Sequence, residues 1–202
     1  MAYAQVICLT HGDRALIERC MRNDAAAFDE VVSRYKNKVY SYILRMVGSE
    51  QDAEDITQEV FIRMYTSLAS FRSQASLNTW LFRIASNLCI DHYRRGKKHQ
   101  NVAYSLDEPI DGDDSSQTRE LPDTTYDPYR LLEQGELSSQ IEQALRKMPD
   151  KLRSVILLHD IEGLQYDEIA HVVGCPLGTV KSRLFNARTQ LRELLSTYVR
   201  GQ

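Results

Sequence analysis

Three stretches of this chain carry side chains whose types and spacing could do chemistry. The first, QDAEDITQEVFIRMY at residues 51–65, puts Asp52, Asp55 and Glu59 on one side of a helix, with Ile56, Val60 and Met64 on another and Leu68 continuing that apolar line. Three carboxylates on one helical face admit three uses: a divalent-metal cluster for phosphoryl chemistry, a docking surface for a basic partner, or an ordinary solvated face. The metal reading is the weakest, because side chains of one helix splay outward and converge on an ion only with ligands from elsewhere. Charge alone does not choose between the other two.

The second stretch is LNTWLFRIASNLCIDHYRRGKKH, residues 77–99. Leu77, Leu81, Ile84 and Leu88 make a buried stripe at helical spacing, and beside it Trp80, Arg83, Asn87 and Arg94 stack one above another. An aromatic ring interleaved with cations and an amide suits a nucleic-acid surface, since the ring stacks on a base while Arg meets phosphate. A core tryptophan and a solvated basic helix end at Arg94-Arg95 would give the same residues.

The third stretch, YDEIAHVVGCPLGTVKSRLF at residues 166–185, begins acidic and ends basic around a Gly-Cys-Pro break. With Tyr166 as the first of twenty positions, the fifth is the small Ala170, the ninth is Gly174 and the fifteenth is the apolar Val180. A helix-turn-helix requires this pattern: a small residue where the second helix crosses, a glycine for the tight turn, and an apolar plug for the shared core. Pro176 suits the first turn of a new helix, where its missing N–H costs nothing. From there Val180, Leu184, Ala187, Leu191 and Leu195 point inward, leaving Thr179, Ser182 and Asn186 outward with Lys181, Arg183 and Arg188 at the flanks. Hydroxyl and amide groups read base edges and cations meet phosphates. The alternative is a helical hairpin with a solvated basic face.

The elements that must position these stretches are all helices. Residues 14–21 read as a short helix capped by Asp13; Asn23-Asp24 caps a long one carrying Phe28, Val31, Val32, Tyr35, Val39, Tyr42, Ile43 and Met46, which Gly48 stops. Helices over about residues 51–70 and 77–95 follow, and a second helical block starts near Leu137, restarts after Met148-Pro149-Asp150 and runs to Val199. No stretch alternates like a strand, so the fold class is all-α. Residues 107–127 carry eight acids against one base, Arg119, a net −7 that leaves +4 on the rest of a chain whose total is −3. With few apolar groups to bury, this segment reads as a flexible acidic linker. The expected organisation is a helical domain over residues 1–96, the linker over 97–134 and a helix-turn-helix domain over 135–202.

Composition narrows the class further. Cys8, Cys20, Cys89 and Cys175 form no CxxC pair, which fits reduced thiols, and the Cys89–His92 spacing lacks the further ligands a metal needs. No run approaches the roughly 18 apolar residues of a membrane span, and the first residues lack the basic and apolar regions of a signal peptide. The expectation is a cytoplasmic protein without metal or cofactor and without insertion into a membrane. No P-loop or nucleophile constellation points to an enzyme.

In order and separation, the motifs AEDITQEVFIRMY, NTWLFRIASNLCIDHYRR and MPDKLRSVILLHDIEGLQYDEIAHVVGCPLGTVKSRLFNAR resemble bacterial RNA polymerase sigma factors of the extracytoplasmic-function type. The resemblance covers roughly residues 25–95 and 138–195. It implies a two-domain initiation factor that brings core RNA polymerase to promoter DNA, docking on the β′ coiled coil and the β subunit, with an anti-sigma factor as a further partner. By resemblance, Asp52, Asp55, Gln58 and Glu59 belong to the β′ contact. Trp80, Arg83, Asn87, Asp91, Arg94 and Arg95 fall in the segment that meets and melts the minus-10 element, and residues 71–78 match the pocket for a flipped base. The helix-turn-helix is implied to read the minus-35 element. Housekeeping members carry two adjacent tryptophans where this chain has Trp80-Leu81, which implies weaker intrinsic melting. A helix-turn-helix repressor or activator acting without polymerase is the competing assignment, and a metal nuclease a distant third.

The linker carries no pattern that could fold, so it should act through charge and reach. Scrambling residues 107–127 at fixed composition is expected to leave run-off transcription nearly intact, whereas neutralising its acids is expected to weaken assembly with core polymerase. A scramble that abolishes transcription would show that residue order matters.

Overall fold

The computed structural model describes residues 11–68, 76–103 and 128–199. Among the described residues eight α-helices follow one another: α1 (His11–Met21), α2 (Ala25–Val47), α3 (Glu50–Ser67), α4 (Leu77–Ala103), α5 (Pro128–Lys147), α6 (Asp150–Ile156), α7 (Tyr166–Val173) and α8 (Leu177–Val199), with a π-helical turn at Leu157–Ile161 between α6 and α7. The described residues contain no strand.

Local chemistry sets most of these bounds. The Asp24 carboxylate accepts from the Ala27 N–H at the start of α2, and Ser49 does the same for Asp52 at the start of α3. Gly48 ends α2 in the left-handed region at φ 81°, where a Cβ would be strained, and its N–H closes on the Leu44 carbonyl at 2.8 Å. Gly174 does the same service after α7 at φ 63°.

In the first block α2, α3 and α4 pack pairwise, with α1 against α2. Their spacing buries Val31, Val39 and Ile43 of α2 with Ala53, Val60 and Met64 of α3 and Leu77, Leu81 and Phe82 of α4. Tyr42 meets Phe82 edge to face, ring centroids 5.3 Å apart. In the second block α5, α6 and α7 each pack on α8, whose Val180, Leu184 and Ala187 are buried as the inward stripe requires. Leu191 and Leu195, at the outer end of that stripe, are only half-buried.

The two blocks form one packed body. Helix α7 lies on α4, and α5 and α6 lie on α2. Arg153, 5% exposed, donates to the Met46 carbonyl and to the Tyr93 hydroxyl of the first block, and to the Arg146 and Met148 carbonyls of its own. The Tyr93 hydroxyl also donates to the Met46 carbonyl, and Tyr42 pairs with Ser154 at 3.0 Å. Glu162 is half-buried; burial pushes its carboxyl up against the pull of Lys38 and Arg45.

The structure corrects several sequence expectations. Asp13 lies inside α1 and does not cap it; it is a buried partner of Arg34 and of the Tyr35 hydroxyl, whose pKa burial and that carboxylate push up to about 12. Helix α4 continues eight residues past Arg95, because one glycine, Gly96, costs only about 1 kcal/mol in a helix. Helix α5 begins at Pro128 and not near Leu137, with proline at the first helical position, where it is tolerated. The expected linker of 97–134 therefore has helical ends, and its acidic centre, 107–127, lies outside the described residues. Pro176 precedes α8, and its carbonyl accepts the first two helical bonds, from Thr179 and Val180.

Val180 is wholly buried, so Val180→Asp places an unpaired charge in the core of the second block. Thermal unfolding followed by circular dichroism should show that block melting well below the wild type, while Ser182→Ala on the exposed side of the same helix should leave the melt unchanged.

Candidate nucleic-acid and partner interfaces

On α3, the helical spacing that buries Ile56, Val60 and Met64 leaves Asp55 and Gln58 exposed and Asp52 and Glu59 half-exposed. Two of the acids have local partners. Glu59 pairs with Arg63 one turn on, at 2.7 Å, and Asp52 lies 3.7 Å from His92 Nε2 on α4. Both pairs are solvated and weak, so these carboxylates remain exchangeable for a stronger cationic partner.

Beside the acids the structure shows an apolar feature that the charge pattern did not reveal. A groove of ≈ 670 Å³ runs between the first half of α2 and α3, lined by Phe28, Val32, Phe61, Ile62 and Tyr65 with Gln58 and Lys36 at its edges. Ile62 and Tyr65 are 57% and 50% exposed, and Tyr65 is held by an edge-to-face contact with Phe28 at 5.3 Å. The surplus of apolar positions on α3 was the signal: a helix with only one buried stripe has no use for Ile62 and Tyr65 outside it.

On α4, Leu77, Leu81 and Leu88 are buried and Ile84 half-buried, turning Arg83, Asn87, Arg94 and Arg95 to solvent with Asp91 half-exposed between them. Trp80 is half-buried, packed against the core and one turn before the exposed Arg83. It serves as both core and surface. Cys89 is buried behind this face, and burial pushes its thiol up to about 12, which leaves it protonated. Residues 71–75 of the implied base pocket lie outside the described residues; Ser76 leads into α4, which already contains Leu77 and Asn78.

Helices α7 and α8 form the expected helix-turn-helix. Gln165 and Glu168 cap α7 reciprocally, Ala170 packs at the crossing, and Val180 plugs the core. Lys181, Ser182 and Asn186 are exposed on α8, Thr179 and Arg183 half-exposed. The Ser182 hydroxyl donates to the Thr179 carbonyl at 3.1 Å, and an Arg183 N–H reaches the Cys175 sulfur at 3.6 Å, contacts that base or phosphate oxygens can replace. Arg188 differs: it makes a two-pronged bond to Asp160 at 3.1 and 2.5 Å, which pushes its already high pKa further up and ties α8 to the π-helical turn. Phe185, at 72% exposure, stands between Lys181 and Ser182 and was absent from the sequence-based set. Its ring has no core to enter, and an apolar side chain on a reading helix can meet a thymine methyl.

Two family models match these segments: Sigma-70 region 2 over residues 31–99 and Sigma-70 region 4 over residues 138–191. The RNA polymerase sigma-H factor of Pseudomonas aeruginosa is 36% identical over 93% of this chain and 96% of its own length. SigW, an extracytoplasmic-function sigma factor of Bacillus subtilis, is 38% identical over 89% and 94%. The chain belongs to the sigma-70 family, as a factor of the extracytoplasmic-function type. Among solved structures, the sigma factor RpoE of Bartonella quintana, in complex with the anti-sigma factor NepR, has the same fold, with a TM-score of 0.65 at 24% identity over 84% of this chain and 96% of that one. CnrH, in complex with the cytosolic domain of CnrY, matches at 0.63 and 25% identity over 92% and 97%. In this sigma factor the α3 acids, the α3 side of the groove and the α4 face thus fall in region 2, and the helix-turn-helix in region 4.

The three Arg and Phe side chains of α8 should separate by assay. Arg183→Ala is expected to weaken promoter binding by about 1–3 kcal/mol, with relaxed preference if it meets a base and a shallower salt slope if it meets phosphate. Phe185→Ala should keep the melting temperature and lose affinity only for minus-35 variants that retain thymine. Arg188→Ala should show most of its effect in the thermal melt of the second block.

Proposed function

We propose that this sigma factor docks on core RNA polymerase through the α2–α3 groove and its acidic rim, and reads promoter DNA with two separate faces. Membership of the family supplies the activity: promoter-specific initiation of transcription on core polymerase. What supports the residue assignment is one observation, that Gln58 of α3 lines an exposed apolar groove, with Asp55 one turn before it on the same helix, on the block whose α4 turns Arg83, Asn87, Arg94 and Arg95 outward.

A protein partner fits the first surface better than an ion does. Ile62 and Tyr65 supply apolar area to bury, and Asp52, Asp55, Gln58 and Glu59 supply a polar rim that selects a basic helix such as the β′ coiled coil. Among the described residues no three metal-ligating side chains converge. On α4, Trp80 can leave its half-buried position to stack on an unpaired base while Arg83, Arg94 and Arg95 hold phosphates, with Asn87 and Asp91 placed to accept or donate at base edges. On α8, Thr179, Lys181, Ser182, Arg183 and Asn186 meet duplex DNA, joined by Phe185, with Arg188 as a positioning residue. Residues 31–99 and 138–191 then act as the two working domains. The chain works by binding and positioning, without chemistry of its own, and in the cytoplasm, where core polymerase and promoter DNA are. No described helix is long and apolar enough to cross a membrane. An anti-sigma factor, as RpoE has in its solved complex, is the natural regulator.

Run-off transcription with purified core polymerase tests the whole reading. Asp55→Lys with Glu59→Lys, and separately Ile62→Ser, should abolish co-purification with core and run-off product while circular dichroism stays that of the wild type. Trp80→Ala should impair duplex promoters by about 1–3 kcal/mol and a premelted bubble much less. Undiminished core binding by the charge-reversed protein would overturn the docking assignment; a Trp80→Ala defect that the bubble does not rescue would make Trp80 a core residue.

A further inference from the structure

Two arginines of α8 are held in opposite ways. Arg188 is clamped by the Asp160 carboxylate, which cancels its charge. Arg183 has no carboxylate partner among the described residues; it gives one N–H to the Cys175 sulfur at 3.6 Å.

That sulfur stands at a fixed point of the turn between α7 and α8. Gly174 takes the left-handed conformation at φ 63°, the Cys175 N–H closes on the Ala170 carbonyl at 3.2 Å, and Pro176 follows with its own φ set by its ring. The Cys175 side chain is half-buried and packs on the core, so its place is settled before Arg183 arrives. The turn itself has no need of the sulfur, since the left-handed glycine and the backbone bond make it without any help from the side chain at 175.

Arg183 stands six residues beyond Leu177, the first residue of α8, and a helical side chain leans toward the N-terminus of its helix. It therefore meets the turn. An unrestrained arginine spreads over many rotamers, and freezing them when DNA binds is a cost that prior restraint removes. A carboxylate at position 175 would restrain the guanidinium harder, but it would cancel the charge that attracts DNA and set its own against the phosphates. A thiol is a weak acceptor. It restricts Arg183 without neutralising it, and only one N–H is spent, so the rest of the guanidinium fork stays open to a DNA oxygen.

We propose that Cys175 is a positioning residue for promoter recognition: its sulfur holds the Arg183 guanidinium at the turn before DNA arrives, so that a placed cation and not a mobile one meets the minus-35 element. This rests on the reading of α8 as the minus-35 helix, and the two can fail separately.

The full chain assembled with core polymerase is measured for equilibrium binding to promoters varied at the minus-35 element, at two salt concentrations. Cys175→Ala removes the acceptor and leaves the turn, so the thermal melt should match the wild type. Binding should weaken about two- to fivefold, the worth of one weak hydrogen bond. The loss should carry the signature of Arg183→Ala at smaller amplitude, with the same change in base preference or the same shallower salt slope. Cys175→Ser, which keeps an acceptor at that place, should restore most of the affinity. The double variant Cys175→Ala, Arg183→Ala should bind no more weakly than Arg183→Ala alone, because Cys175 acts through Arg183. A plain packing role would instead make the two losses multiply, and this comparison decides even where the alanine softens the turn.

Wild-type binding by Cys175→Ala, losses that multiply, or a serine variant as weak as the alanine one overturns the positioning role; with Arg183→Ala impaired, the helix-turn-helix assignment still stands. If Arg183→Ala binds every promoter variant as the wild type does, Arg183 has no place in the interface and the role of Cys175 falls with it.

Discussion

Arg153 is a cation buried at a place where it must find acceptors, because a guanidinium cannot shed its charge at any pH a protein meets. It finds them mainly among backbone carbonyls. Met46 near the end of α2, and Arg146 and Met148 at the end of α5, each offer an oxygen that helix geometry leaves without a partner, and Tyr93 adds its hydroxyl and the face of its ring. Asp150 stands 3.6 Å away as a counter-charge. Around this group the α2 terminus, α4, α5 and α6 acquire fixed positions, and from them the placement of α7 on α4 follows.

The same electrostatic economy runs over the surface. The chain totals −3 while residues 107–127 alone carry −7, so the folded helices are mildly basic. A net charge of −3 keeps long-range attraction to phosphate low, so the cations of α4 and α8 count only at short range. Two weak contacts on one polymerase scaffold then gain from effective concentration. The local contacts of the α3 acids fit this scheme, since the Glu59–Arg63 ion pair and the Asp52–His92 contact are solvated and weak.

A wholly buried stripe and an exposed face were separable in the sequence wherever one helix met one core. The α3 stripe and the Val180 plug came out as their spacing required, the α4 stripe did so except at the half-buried Ile84, and the Gly48 and Gly174 stops rest on a left-handed conformation that glycine adopts without strain. Where a residue serves two surfaces the spacing was mute. Trp80 is half-buried, Asp13 trades a cap for a buried pair with Arg34, and Arg188 is bound to Asp160.

The sequence by itself determined the helices, the helix-turn-helix and the acidic face of α3, because each is a local pattern read within about two turns of one helix. Only the tertiary structure decided the α2–α3 groove, the exposure of Phe185, the burial of Arg153 and the hold of Glu168 on Thr79. The groove and Phe185 depend on which apolar side chains the core has no room for. Arg153 and Glu168 depend on partners 107 and 89 positions away in the chain, pairings that no periodicity encodes and that arise only when the two blocks pack.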